Sequence, residues 1–315
     1  MNVPGVLRPA RVRVPGSTSN LGAGFDCLGL ALNRYLTATY EPAPTTALEV
    51  RRYGTLAALD LGPDEDILVR AFRARIRGER GIEPGGVLRV ESQIPIGRGL
   101  GSSAAALIAG LGLASAALRA GRFDRAATLW EVDAEEGHPD NGAPSLFGGL
   151  VGVTRGGTGR PRAFRLPLSN RIGLAFAAPG HEVRTRAARA VLPAQVPFTD
   201  VAAGLGRLAA LVRGLATGDP ELIGLGMTDR LHVPHRLELI PGAAEAIAAA
   251  RAAGAWGVTI SGSGSGLIAA CAPDRASAIA DAMASAFHGT AAGEGATAFA
   301  ARPDRHGTLC REAAQ

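Results

Sequence analysis

Three short stretches carry the residue types that chemistry needs. The first is the glycine loop at Gly97, Gly99 and Gly101, which runs into Ser102 and Ser103. It follows a strand-like run, Val87 to Ile94, and opens a helix-like run, Ser102 to Leu118. Strand, glycine loop and helix in that order aim several backbone N–H groups and the positive end of a helix at one point, which makes an anion site. The glycines let the backbone approach a ligand with no Cβ in the way. The two serines can cap amides, bond a phosphate oxygen or sit near a metal. Gly99 to Ala104 also fits the dinucleotide pattern GxGxx[GA], but that pattern needs a strand ending in an acid after the helix. Here a second helix follows from Phe123.

The second stretch is Glu135-Glu136-Gly137-His138-Pro139-Asp140-Asn141, with three carboxylates, an imidazole and an amide in seven residues. A hard cation such as Mg²⁺ takes oxygen ligands, and a carboxylate at a helix end beside a phosphate loop supplies one. Asp140 could orient a hydroxyl, pair with an ammonium group or simply close an Asx-turn. The third stretch is the turn Ser19 to Asp26, where Asn20 and Asp26 bracket Gly22 and Gly24. They form either a polar substrate clamp or ordinary turn chemistry, with Asp26 as an N-cap.

The elements that must position these groups alternate without a regular βαβ repeat, which argues for an α+β fold. Strands are expected at Ala10 to Val14, Tyr35 to Tyr40, Leu48 to Tyr53, Val87 to Ile94, Leu150 to Thr154, Arg171 to Ala177, Trp256 to Ile260, Leu267 to Cys271 and Ala296 to Ala301. Helices are expected from Asp64 to Arg80, Ser102 to Leu118, Phe123 to Glu136, Val183 to Leu192, Phe198 to Thr217, Gly242 to Ala253 and Arg275 to Phe287. His138 to Pro144 is expected as a loop, and a domain boundary near Gly156 to Pro161.

All 33 strong bases of the 315 residues are arginine; there is no lysine. That excludes a GxxxxGK[ST] loop and any lysine nucleophile or base. Phosphate or carboxylate binding then falls to arginine forks, backbone amides, metal or helix dipoles. The net charge of +5 is dispersed, and aromatics are only 4%, so a stacking platform for nucleic acid is not expected. Cys27, Cys271 and Cys310 form no CxxC pair or disulfide framework, which points to a reducing, cytoplasmic setting. The N-terminal stretch MNVPGVLRPARVRVPGS has no apolar core of a secretory signal. The apolar run Ala104 to Leu118 is too short for a membrane span.

Taken together, VPGSTSNLGAGFD from Val14, PIGRGLGSSAA from Pro95 and SGSGSG from Ser261 resemble, in order, the three motifs of the GHMP small-molecule kinases. Within that family the chain is most similar to the branch that phosphorylates L-homoserine. PGSTSNLGAGFDCLGLAL (Pro15 to Leu32), Glu136 to Gly149, Thr185 to Pro193 and Asp229 to Pro241 all match that branch. The resemblance implies a two-domain fold. A ribosomal S5 domain 2-like ATP-binding domain would span residues 1–160, and a ferredoxin-like domain 161–315.

The resemblance also implies the reaction, ATP-dependent phosphorylation of the homoserine side-chain hydroxyl, a step of threonine biosynthesis. The alternative is another reaction of the family, shikimate phosphorylation or diphosphomevalonate decarboxylation. Asn20, Asp26, His138, Asp140, Arg189 and Arg236 would surround homoserine. Asp26 or Asp140 would face its ammonium group, and the two arginines its carboxylate. Pro95, Ile96, Gly97, Arg98, Gly99, Leu100, Gly101, Ser102 and Ser103 would wrap the triphosphate. Ser102 and Glu136 would approach Mg²⁺, with Glu135 the neighbouring alternative. Asn141 and Thr185 would lie near the reacting hydroxyl and the γ-phosphate. The resemblance allows a homodimer and implies neither a nucleic-acid nor a membrane partner. Departures are small: Gly16 and Gly142 stand in for larger residues, and Gly264-Ser265-Gly266 replaces a usual Gly-Pro-Thr or Gly-Pro-Ser.

Overall fold

In a computed structural model, residues 7–118, 123–157, 159–289 and 295–312 are described. Residues 1–6 of the stretch weighed against a secretory signal, and residue 158 of the boundary turn, lie outside them. Strands β1 (Ala10–Asn20) and β2 (Gly24–Pro42) form a long antiparallel hairpin. β1 runs on past the expected end at Val14, so the turn between Ser19 and Asp26 contracts to Leu21, Gly22 and Ala23. Strand β3 (Leu48–Gly54) precedes helix α1 (Ile67–Arg80), which starts after Asp66 rather than at Asp64. The Asp66 carboxylate accepts from the amides of Leu68 and Val69 at 3.0 and 3.3 Å, which satisfies two donors of the first turn.

Then come β4 (Gly86–Ser92), α2 (Ser102–Leu118), α3 (Arg125–Glu136), α4 (Gly142–Phe147), β5 (Leu150–Arg155) and β6 (Pro161–Leu166). The 19 residues of β2 serve two further partners in succession, β5 at Leu28–Leu30 and β4 at Leu36–Pro42. Helix α2 is apolar nearly all round, and packing accounts for it. It lies on β1 and β2 and is covered by α1, α3 and α4. The close α1–α2 crossing needs Gly110, where a Cβ would lie 2.3 Å from the Leu68 carbonyl oxygen.

The second half builds a four-stranded antiparallel sheet. Its strands are β7 (Gly173–Ala178), β8 (Gly257–Ile260), β9 (Leu267–Cys271) and β10 (Thr297–Ala301), in the order β10-β7-β9-β8. Between β7 and β8 run α5 (Thr185–Ala190), α6 (Phe198–Thr217), α7 (Pro220–Gly226), α8 (Val233–Leu237) and α9 (Ala243–Ala252). Helix α10 (Ala276–His288) follows β9. Alternation splits β7 between two cores. Ala175 and Ala177 pack with α9 and α10, while Leu174, Phe176 and Ala178 join the core of the first sheet.

The chain ends in β11 (Leu309–Glu312), which returns to pair with β1. The first sheet therefore has order β11-β1-β2-β4-β3 with β5 and β6 attached, and draws on residues either side of the 160/161 division. The α+β expectation holds. The strands β6 and β11 and the helices α4, α7 and α8 were not expected. Each spans four to seven residues, too few for periodicity to show. Part of the expected His138 to Pro144 loop is thus the start of α4.

Candidate active site

The glycine loop closes against the N-terminus of α2. Gly97, Gly99 and Gly101 take positive φ of 65°, 73° and 65°. At Gly99 a Cβ would lie 1.9 Å from the Ser261 carbonyl oxygen, so only glycine lets the two loops touch. The loop's carbonyls face inward: Leu100 accepts from the Ser17 amide at 3.1 Å, and Gly99 from the Ser261 hydroxyl at 2.7 Å. Among the described residues, the amides of Gly97 to Gly101 donate to no protein acceptor. Unpaired amides in a loop ahead of a helix suit a polyanion.

Gly97, Gly99 and Gly101 line a cleft of about 440 Å³ together with Ile67, Ile96, Val183, Ser102, Ser103, Glu135, Glu136 and Glu182. Of the expected loop residues, Pro95, Arg98 and Leu100 do not line it. Leu100 is buried in the core. The Arg98 guanidinium turns away and donates to the carbonyls of Pro179 (3.0 Å) and Gly180, clasping the loop to the segment after β7.

Of the three carboxylates that border this cleft, the neighbours Glu135 and Glu136 are in different states. Glu135 is half exposed and paired with Arg70 at 2.8 Å. Burial pushes the Glu136 carboxyl above its ordinary value, against a hydrogen bond from Ser103 and the nearby His138. Glu136 is thus the more buried of the two, and its hydroxyl partner is Ser103.

Beside the cleft lies a second cavity of only about 30 Å³. Asn20, Asp26, His138, Asp140, Arg189 and Arg236 all line it, from four separate parts of the chain. The turn at its floor is strained: Asn20, Leu21 and Asp26 have φ of 70°, 51° and 54°. Asn20 holds it, accepting from the Asp26 amide at 2.9 Å and donating to the Gly262 carbonyl at 2.8 Å. Asp26 caps no helix. Its carboxylate makes a two-pronged ion pair with Arg189 at 2.9 and 3.0 Å.

Asp140 is buried and bonds the His138 ring at 2.9 Å. Burial would raise its carboxyl, but the His138 bond and charge, the Ser19 hydroxyl and Arg189 outweigh that and hold it low. Arg236 is 2% exposed and has no carboxylate partner among the described residues. It donates to the Ala188 carbonyl at 3.0 Å and sits over the Phe25 ring, 5.0 Å from its centre.

The two cavities meet at His138, Asn141, Thr185 and Ser263, which line both. The Asn141 side chain is anchored, donating to the Ser17 carbonyl at 3.1 Å and accepting from the Ser19 hydroxyl at 3.2 Å. The hydroxyls of Thr185 and Ser263 lie 3.4 Å apart. Ser17, Ser19, Glu182, His232 and Ser263 were not among the expected site residues. Ser17, Ser19, His232 and Ser263 lay inside segments that the resemblance had already marked; Glu182 carried no signal.

An amide-lined cleft at the start of α2, opening on a small charged pocket between two α+β layers, defines a small-molecule kinase of the GHMP type. The family profile "GHMP kinases N terminal domain" matches residues 66–149, and "GHMP kinases C terminal" matches 209–289. A homoserine kinase of Moorella thermoacetica is 42% identical over 277 residues, 88% of this chain and 92% of its own. One of Synechococcus sp. is 40% identical over 281 residues, 89% and 91%. The crystal structure of homoserine kinase from Cytophaga hutchinsonii superposes with a TM-score of 0.83 at 28% identity, covering 98% of this chain and 99% of that one. The chain belongs to the GHMP kinase family and, within it, to the homoserine kinases.

Proposed function

We propose that the protein transfers the γ-phosphoryl group of ATP to the side-chain hydroxyl of L-homoserine, giving O-phospho-L-homoserine for threonine biosynthesis. The observation that carries this is the shared wall of the two cavities. A cleft of unpaired amides meets a pocket holding two carboxylates and two guanidinium groups, through His138, Asn141, Thr185 and Ser263. A zwitterion with a hydroxyl arm fits that pattern. Its ammonium would face Asp26 or Asp140 and its carboxylate Arg189 and Arg236. The buried Arg236 charge, lacking an anion of its own, supports the carboxylate end.

Phosphoryl transfer has a loose transition state, and positioning with charge neutralisation does most of the work. The loop amides and the α2 dipole would hold the triphosphate. Thr185 and Asn141 would border the reacting hydroxyl and γ-phosphate, whose proton passes to phosphate or solvent. Mg²⁺ fits the donor set. Glu136 is a largely buried carboxylate on the wall of the amide cleft, and Mg²⁺ commonly takes one or two carboxylates plus phosphate oxygens. Glu136 and Ser102 would hold it, and when bound it would neutralise phosphate charge.

We place the protein in the cytoplasm, which its three free cysteines support, and as a homodimer, for which the exposed Phe198 and Leu205 on α6 offer an apolar face. No described helix is long and apolar enough to cross a membrane. ADP release with homoserine, shikimate and mevalonate tests the reaction. Turnover with homoserine alone is expected, and none with homoserine overturns it. Light scattering at micromolar concentration checks the dimer.

A further inference from the structure

His232 lies at the start of α8 and is fully buried. It touches neither cavity, yet it joins two walls of the small one. Its Nε2 is 3.0 Å from the Gly22 carbonyl oxygen in the strained turn. Its Nδ1 is 3.4 Å from Nη1 of Arg236. A carbonyl only accepts and a guanidinium only donates. These two partners therefore fix one neutral tautomer, with the proton on Nε2 and the lone pair on Nδ1. The ring also stacks on Phe25 at 4.6 Å, the same ring that underlies Arg236. The backbone beneath is held too: both the His232 and Val233 amides donate to the Asp229 carboxylate, at 2.7 and 2.8 Å.

Arg236 has few other constraints. Its Nε donates to the Ala188 carbonyl, and Nη1 has a long 3.3 Å contact to the Gly262 carbonyl. A planar fork meets a carboxylate with two parallel bonds only when its rotation is set. We infer that His232 is a positioning residue for the acceptor pocket: its Nδ1 lone pair sets the plane of Arg236, while its Nε2–H ties that arginine to the turn bearing Asn20 and Asp26. The inference rests on the reading of Arg236 as the partner of the substrate carboxylate.

Two substitutions separate the two ring nitrogens. In His232→Asn, the amide oxygen falls near the Nδ1 position and can still accept from Arg236. In His232→Gln, the longer amide reaches the Nε2 position and can still donate to Gly22, but the acceptor for Arg236 is lost. The expected result is a KM for homoserine about tenfold higher in His232→Gln, with the KM for ATP within about twofold. His232→Asn should stay within about threefold of the unsubstituted enzyme for both substrates. Equal effects of the two variants on the homoserine KM, or a parallel rise in both KM values, would show a merely structural role and overturn the inference.

A ¹⁵N-histidine NMR spectrum of the unsubstituted protein gives a second measurement that needs no variant to fold. A neutral Nε2–H tautomer for the buried ring is expected, and an Nδ1–H tautomer overturns the inference. If the unsubstituted protein releases no ADP with homoserine, the functional reading fails and takes this inference with it. Turnover with a homoserine KM indifferent to His232→Gln removes the His232 role alone.

Discussion

The two halves of the site are built by different means. The cleft at Gly97 to Ser103 is a backbone device: one continuous loop turns its carbonyls inward and leaves its amides unpaired. The acceptor pocket is a side-chain device, assembled from β1 and β2, the loop before α4, and helices α5 and α8. A loop of amides recognises any polyanion of the right size, because every residue offers the same donor. A pocket of charged side chains recognises a particular arrangement of charges. Family members can therefore keep the first and vary the second. One segment couples the two: Ser261 braces Gly99, while the Gly262 carbonyl accepts from Asn20 and Arg236.

That segment is the place to break the contrast. Gly99→Ala would drive a Cβ into the Ser261 carbonyl oxygen and force alanine to φ of 73°. Overpacking and a left-handed backbone together should cost about 3 kcal/mol. Urea denaturation measures this, and the KM for ATP should rise sharply in whatever protein folds. An unchanged midpoint would mean that the loops do not lock together as described.

Arg236→Met and Arg189→Met sharpen the contrast inside the acceptor pocket. Removing a charge-assisted pair of bonds costs about 3 kcal/mol, so Arg236→Met should raise the homoserine KM about a hundredfold and leave the ATP KM alone. Arg189 is 38% exposed and already paired with Asp26. Its removal should raise the homoserine KM only about tenfold and barely move the melting temperature, since exposed pairs contribute about 0–1 kcal/mol. Steady-state kinetics with each substrate varied in turn decides the ranking. A larger effect at Arg189 would reverse it and make the exposed arginine the main carboxylate partner.

The same contrast explains what was legible in the sequence. The cleft is local, so Gly97, Gly99, Gly101 and the start of α2 at Ser102 are readable from one stretch. Even there, sequence could not tell that Arg98 faces away, because its partners Pro179 and Gly180 lie some eighty residues on. The acceptor pocket is non-local, and only the family resemblance brought its six residues together. What it missed is the supporting layer. Ser17 and Ser19 hold Asn141, and His232 holds Arg236, through contacts spanning long stretches of chain or a buried ring with no outward sign. Glu135 and Glu136 were indistinguishable as neighbours on a helix end. The Arg70 partner of one and the burial of the other separate them.

The smallest expected effect belongs to this supporting layer and concerns acid stability. Burial holds the His232 imidazole below its ordinary value of 6.5, with Arg236 acting in the same direction and Asp229, the Gly22 carbonyl and Asp26 opposing. In the unfolded chain the ring is free to protonate near that ordinary value. Below about pH 6.5 the unfolded state therefore binds a proton that the folded state refuses, and linkage requires folding to weaken. The contribution is complete above that pH and is lost as pH falls towards the lowered folded value. Protonation of Nδ1 would also set two cations face to face at Arg236. Urea midpoints at pH 7.5 and pH 5.5 measure the slope. His232→Gln cannot titrate, so its midpoint should fall less between the two pH values than that of the unsubstituted protein. Equal falls would mean that the ring charges in place, and that the joint between the strained turn and Arg236 yields to protonation instead of resisting it.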